Sequence, residues 1–232
     1  YLGAIADYSK AIQIDPNDAE YYYSRGSAKD NLEDYHGAMA DYSEAIEIDP
    51  NDAEYYNDRG LAKIQLEDYH GAIVDYSNAI KIDPDVPDYY HSRGSAKDNL
   101  EDYLGAIADY SNAIQIDPNN DFYYYSRGIA KYMLDDCKDA IADLTKAIEI
   151  YPAYQSAYYM RALIYSELNN TMEAIRNYKK AYSLTIDYSE QTKIRQKLEN
   201  LIPQFNNQYI ELPYQQRKLI VADDEYKTAS TD

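Results

Sequence analysis

Three histidines, one cysteine and a set of acidic turns are the residues with which this 232-residue chain could do chemistry. His36 and His70 each follow a Tyr and precede Gly-Ala, which reads as one surface position used twice. His91 stands alone and suits a hydrogen-bond partner better than a base. Cys137 replaces the Tyr found at Tyr35, Tyr69 and Tyr103, so it reads as a packing substitution. No His/Cys cluster has the spacing of a metal site. Turns such as Asp15-Pro16-Asn17-Asp18 resemble calcium loops only superficially, because the alternating ligands and the closing Glu are missing. We therefore expect no catalytic residues, no metal and no cofactor.

The elements that carry these residues are set by repetition. Arg-Gly occurs at Arg25-Gly26, Arg59-Gly60, Arg93-Gly94 and Arg127-Gly128, and Arg161-Ala162 continues the series at the same constant step. Ala38, Ala72, Ala106, Ala140 and Ala174 keep that period, as do Pro16, Pro50, Pro84, Pro118 and Pro152. Each unit reads as two helices. Ala19 to Leu32 carries Tyr22, Gly26 and Lys29 at three- and four-residue steps, as one helix face requires. Asp34 offers an N-cap for a second helix through Ala38, Tyr42, Ala45 and Ile46, which Pro50 stops. A Gly inside the first helix costs about 1 kcal/mol relative to Ala. Its recurrence points to close approach of the second helix, with Ala38 the expected neighbour.

Tyr22, Arg25, Gly26, Lys29, Ala38, Tyr42, Ala45 and Pro50 resemble the signature of the tetratricopeptide repeat (TPR) family, with Arg and Lys where the family usually has Leu and Tyr. The resemblance covers about residues 1–188. It implies an all-α, right-handed superhelical solenoid of antiparallel helix pairs. The units are expected at 19–52, 53–86, 87–120, 121–154 and 155–188, after a partial repeat at 1–18 that supplies only a second helix. A capping helix is expected at 189–203, with Ile194, Leu198 and Leu201 on one side, and an irregular tail at 204–232. The orphan helix at the start suggests a piece of a longer array, whose exposed N-terminal helix would offer a surface for homo-oligomers.

The resemblance also implies a non-enzymatic module that binds a protein or peptide along a concave groove. On a helical wheel, places 2, 5, 9 and 12 of each first helix oppose the packed face. The groove would carry Glu20, Tyr23, Ser27 and Asp30, then Glu54, Asn57, Asp58, Leu61 and Ile64, then Asp88, His91, Ser95 and Asp98. Tyr125, Ile129, Tyr132 and Met133 follow, and the last three are costly to leave exposed together. Family members that clamp a carboxylate need cations here, but Tyr23, Ser27, Asp58, Asp88 and Ser92 hold those places, so that ligand is disfavoured.

Charge narrows the partner. The chain carries 22 basic and 41 acidic residues, a net −19, which argues against binding nucleic acid or an anionic membrane surface. Residues 1–120 hold 8 basic against 25 acidic residues, a balance of −17, so the expected partner is basic there, with an apolar anchor near Ile129 and Tyr132. A self-associating structural module and the recruiting arm of a larger enzyme are the alternatives. One cysteine rules out an internal disulfide.

The repeated Arg on a packed face needs an acceptor, since a buried unpaired guanidinium is expensive. Two pairings are possible. Within one unit Arg161 would meet Asn177 and Asp7 would be left without a partner, so elimination pairs each Arg with the Asp on the second helix of the preceding unit. The expected ladder between units is Asp7–Arg25, Asp41–Arg59, Asp75–Arg93, Asp109–Arg127 and Asp143–Arg161.

Overall fold

The computed structural model describes residues 1–202. The expected tail lies outside the described residues. Among those described there are twelve α-helices and no strand. The first compact unit, Tyr1–Asn119, holds α1 (Leu2–Ile14), α2 (Ala19–Asp30), α3 (Tyr35–Ile48), α4 (Ala53–Gln65), α5 (Tyr69–Ile82), α6 (Pro87–Asn99) and α7 (Tyr103–Ile116). The second begins at Asn120 and holds α8 (Asp121–Met133), α9 (Cys137–Ile150), α10 (Gln155–Glu167), α11 (Thr171–Leu184) and α12 (Tyr188–Leu201). Helices pack as pairs, α2 with α3, α4 with α5, α6 with α7, α8 with α9 and α10 with α11. Within each compact unit the pairs stack on one another as an all-α solenoid.

Local chemistry sets the helix ends. Asp18 and Asp52 cap α2 and α4 by accepting from the backbone N–H of Glu20 and Glu54 at 2.9 and 2.8 Å. Asp15 and Asp49 accept from Asn17 and Asn51 in the same turns, so the acids that mimic a calcium loop are spent on backbone donors. Asp34, Asp68 and Asp102 cap α3, α5 and α7. The turn inside each pair closes with Glu33, Glu67, Glu101, Asp135 or Asn169 at φ near 60°. The Asp34 N–H bonds back to the Lys29 carbonyl across that left-handed residue, a Schellman closure.

Each first helix buries two faces. Tyr55, with Ala19, Ala45 and Ile46, packs α4 against α3, and Ala62 joins Ala38 and Tyr42. Tyr89 and Ala96 repeat this one pair later, with Ala53 and Ala79 in one cluster and Ala72 and Tyr76 in the other. The other face turns to its own second helix, and there the Gly is required. A Cβ on Gly26, Gly60 or Gly94 would stand 2.8–2.9 Å from the ring of Tyr42, Tyr76 or Tyr110. The Ala38 carbonyl is farther, at 3.3 Å. The neighbour that excludes a side chain is therefore a tyrosine ring before it is a backbone. At Gly128 the counterpart is Leu144, 3.2 Å away.

The ladder between units does not form. Arg25, Arg59, Arg93 and Arg127 instead each meet the Asp on the second helix of their own pair. Arg25 Nε and Nη2 donate to Asp41 at 2.9 and 2.6 Å, and Arg59–Asp75, Arg93–Asp109 and Arg127–Asp143 repeat the fork. Elimination fails on two counts. It omits the Lys one turn after the first four Arg residues, although Lys29, Lys63, Lys97 and Lys131 reach the same carboxylates at 2.7 Å. It also treats Asn177 as a poor acceptor, yet its Oδ1 takes Arg161 Nε at 2.8 Å. A link to the preceding pair exists, but it ends on hydroxyls: Arg25, Arg59, Arg93 and Arg161 donate through Nη1 to Ser9, Ser43, Ser77 and Thr145. Each Arg also lies over the Tyr one turn earlier, as Arg25 does over Tyr22 at 5.6 Å.

The last pair changes two members together. Asn177 replaces Asp, and Tyr165 stands where the other pairs have Lys. The buried cluster therefore keeps the same formal charge, one Arg, with both the anion and the second cation gone. Burial lowers the Arg161 pKa, as expected without a carboxylate beside it.

Two expectations follow. Asp75→Asn strands Arg59 and Lys63 and costs about 3–5 kcal/mol in urea denaturation, and adding Lys63→Tyr recovers part of the loss. Gly60→Ala forces the Tyr76 ring to move and costs about 1–3 kcal/mol. Gly128→Ala meets Leu144 at 3.2 Å and the Ala140 carbonyl at 3.3 Å, looser contacts than at Gly60, so it costs less than Gly60→Ala, with helix propensity returning about 1 kcal/mol.

Candidate functional site

The face left over on the first helices is the candidate site. In the first compact unit, Glu20, Glu54, Leu61 and Asp88 are exposed, while Tyr23, Ser27, Asp30, Asn57, Asp58, Ile64, His91, Ser95 and Asp98 are half-buried. The half-buried acids are drawn into a polar floor. Tyr23 of α2 donates through its hydroxyl to Asp58 Oδ2 of α4 at 2.9 Å, and Asn57 Nδ2 donates to Asp58 Oδ1 at 2.9 Å. The Tyr23 ring packs at 4.9 Å from Tyr55 and 5.8 Å from Tyr42, so this groove residue is also part of the core. On α6, Asp98 Oδ2 accepts from Tyr110 at 2.7 Å, while its Oδ1 is buried with no partner. His91 lies 5.3 Å from the Tyr110 ring. Burial pushes its pKa down, against the pull of Asp88.

The floor contains residues that the helical wheel did not show. Tyr42, Tyr76 and Tyr110 belong to the second helices, yet their rings pass the small Gly of the first helix. Tyr110 reaches Asp98 in this way. At the place of Asp98 the middle pair has Ile64, and Tyr76 finds no acceptor there. Ser92 stands near the Tyr76 hydroxyl, but no well-formed hydrogen bond joins them. The signal was present in the sequence: a Tyr at a core place opposite a polar residue is a long side chain with a polar end to satisfy.

Burial raises the pKa of Asp30, with the Asp58 charge adding to it. It also raises Asp58 and Asp98, where the bonds from Tyr23, Asn57 and Tyr110 pull the other way without cancelling it. Among the described residues none of the three carries a salt bridge.

In the second compact unit, Met133 is 50% exposed and Phe122 49%. Ile129 and Tyr132 are half-buried. Tyr132 packs on the core around Leu144 and donates to Glu167 at 2.7 Å, which with burial pushes its pKa up to about 12. Only Met133 of the expected apolar trio is therefore widely exposed. Tyr125 lies 4.9 Å from Tyr154 and lines a cavity of about 250 Å³ with Tyr159, Met160, Lys193 and Ile194.

Paired helices with a Gly–aromatic contact and an open first-helix face define a helical-repeat scaffold. A TPR repeat model matches residues 1–29, 31–66, 62–97 and 99–135, and a tetratricopeptide repeat model matches 144–176. The chain belongs to the tetratricopeptide repeat family. Among solved structures it is similar to MamA, at 25% identity and a TM-score of 0.67, over 73% of this chain and 96% of that one. It is similar in fold to YrrB, a TPR protein with an unusual peptide-binding site (20% identity, TM-score 0.69, covering 82% and 97%). Yeast Tom70 aligns at 19% identity and a TM-score of 0.65, covering 85% of this chain and 42% of that one. No curated protein gives a significant match.

The raised acids make a signed prediction. A carboxylate whose folded pKa lies above its unfolded value destabilises the fold once ionised, and that cost disappears below the unfolded value near ~4. Asp98→Asn therefore raises Tm at neutral pH, and its advantage over the parent chain shrinks to nothing as pH falls through about 4. Calorimetry across that range checks it.

Proposed function

We propose that this chain is a non-enzymatic scaffold that holds a partner protein or peptide against the open face of its first helices. The observation that carries the reading is the contrast between two sets of acids. Buried Asp41, Asp75 and Asp109 each hold two cations, whereas Asp30, Asp58 and Asp98 on the open face have none among the described residues. A fold that neutralises a buried carboxylate in pair after pair has left these without a counter-charge, and a basic ligand supplies one. The −17 balance of residues 1–120 adds a field that draws such a ligand in. The basic stretch meets Glu20, Glu54 and Asp88 at the rim and the half-buried acids below.

The apolar anchor is proposed for the second compact unit. Its best seat is the cavity beside Tyr125, Tyr159, Met160 and Ile194, with Met133 and Ile129 as further contact surface. Sites for whole drug-sized ligands span roughly 300–1,000 Å³, so a cavity of about 250 Å³ suits one aliphatic or aromatic side chain. YrrB is a peptide-binding TPR protein, and its likeness to this chain is one of fold. The reading here rests on the chain's own surfaces.

Panning a random peptide library against the chain tests the proposal. Basic sequences carrying an aliphatic or aromatic residue should be enriched, and their affinity should fall steeply as salt is raised. Enrichment of acidic sequences, or binding indifferent to salt, would overturn it.

A further inference from the structure

The anchor cavity of the second compact unit has a neighbour, and the pair determines what can stand beside the anchor; this rests on the reading above that the cavity seats an apolar side chain. We propose that the adjoining cavity takes an acidic side chain of the same partner segment. An otherwise basic ligand would then carry one Asp or Glu close to its apolar residue.

The two cavities share part of their lining. The first, of about 250 Å³, is lined by Tyr125, Tyr159, Met160, Lys193 and Ile194 among others. The second, of about 350 Å³, is lined by Tyr159, Lys193, Gln196, Lys197 and Asn200. Tyr159 and Lys193 belong to both, so side chains that enter the two come from places close together in a ligand. Tyr159 is braced by the core, its ring 5.6 Å from that of Tyr178 in an edge contact. Alternate residues on one face of an extended segment stand roughly 7 Å apart, which spans two adjoining openings.

The second cavity is chemically one-sided. Its five lining residues offer two ammonium groups, two side-chain amides and a phenol, and no carboxylate. All five can donate hydrogen bonds. Lys193 and Lys197 stand one turn apart on α12, a spacing that puts them on one face. The acids of that helix are engaged elsewhere. Glu199 accepts from Arg195 at 2.8 Å, and Glu190, which lines the first cavity, accepts from the Thr185 hydroxyl at 3.2 Å. Neither lysine carries a salt bridge among the described residues. A single carboxylate entering here meets two cations of like sign and relieves their repulsion. A polyanion would meet the same lysines, but also the field of a chain with net charge −19. One acid on a basic segment avoids that cost.

The net charge gives the test its sign. On so acidic a protein, replacing Gln by Glu in a ligand ordinarily weakens binding. The probe is a labelled, C-terminally amidated peptide of alternating lysine and glycine that ends in Leu-Gly-Glu, followed by fluorescence anisotropy on the whole chain. Comparison peptides end in Leu-Gly-Gln, in Ala-Gly-Glu, or in Leu-Gly-Gln with a free terminal carboxylate. The Glu peptide should bind about fivefold more tightly than the amidated Gln peptide, the scale of two exposed charge pairs. Ala in place of Leu should cost about tenfold or more. Lys193→Gln with Lys197→Gln should abolish the preference for Glu or reverse it. Lys138→Gln with Lys146→Gln removes two exposed charges from α9 and should leave the preference intact. Melting curves of both lysine variants should match the parent chain. Suppose Ala weakens binding but Glu and Gln bind alike, or the α9 variant loses the preference as fully as the α12 variant: the acidic cavity falls and the anchor stands. If the free terminal carboxylate replaces Glu without loss, the site reads a chain end and the side-chain assignment falls. If Ala binds as well as Leu, or no peptide binds the parent chain, both readings fall.

Discussion

Everything in this fold is arranged around a carboxylate placed where two helices meet. Asp75 is wholly buried, and it is tolerable there only because Arg59 forks onto it and Lys63 closes the remaining side. Such a cluster adds little net stability, because desolvating three charges offsets most of their attraction. Its effect is on register. A helix pair that slid by one turn would separate the carboxylate from both cations and bury three unpaired charges, whereas an all-leucine seam would lose only part of its contact. The Nη1 bonds to Ser9, Ser43 and Ser77 extend this control to the preceding pair, and those hydroxyls pass it on to the backbone carbonyls of Ile5, Met39 and Ile73.

Tyrosine is the second half of the same design. With 30 Tyr, two Phe and no Trp, the chain fills its large core places with a ring that ends in a hydroxyl. That ring needs room, and Gly26, Gly60 and Gly94 supply it at the expense of helix propensity. The hydroxyl needs an acceptor: Tyr110 finds one in Asp98, whereas those of Tyr76 and Tyr178 are buried without one. Core packing and groove chemistry are thus connected through single side chains: Tyr110 packs in the core and bonds Asp98 on the open face. Where Leu144 replaces Tyr in the second compact unit, the link is absent and the neighbouring face is more apolar.

The period, the helix pairs and the caps were legible in the sequence because each depends on local chemistry repeated at a constant step. Asp34 caps and Pro50 follows a helix end wherever the pair is docked. The partner of each Arg was not legible by the same route. Ser9 and Asp41 lie at equal distances along the chain from Arg25, on two different second helices, and the Arg reaches both. Only the distribution of charge separates them, since the carboxylate lies on one and the hydroxyl on the other. A cue was available in the last pair, where Asp becomes Asn177 and Lys becomes Tyr165 together. Two residues that change in step belong to one cluster, which places the Lys, and hence the Asp, within the pair. The helical wheel marks the places of the candidate groove, but it treats one helix at a time. It could not show that Tyr23 reaches across to Asp58, or that Tyr76 rises from the helix behind.

Three kinds of acid occur in the first compact unit, distinguished by their partners. Acids at caps and turns accept backbone N–H groups, and acids inside the pairs hold Arg and Lys. Both are satisfied within the fold. Asp30, Asp58 and Asp98 are not, and burial raises their pKa as it would for any carboxylate denied a counter-charge. The isolated protein would be more stable with Asn at all three. Their cost is carried by the cores on either side, where Tyr42, Tyr76 and Tyr110 are packed to 2% exposure or less. The open face is braced by the core beneath it, since Tyr23 packs on Tyr42 and Tyr55 and bonds Asp58.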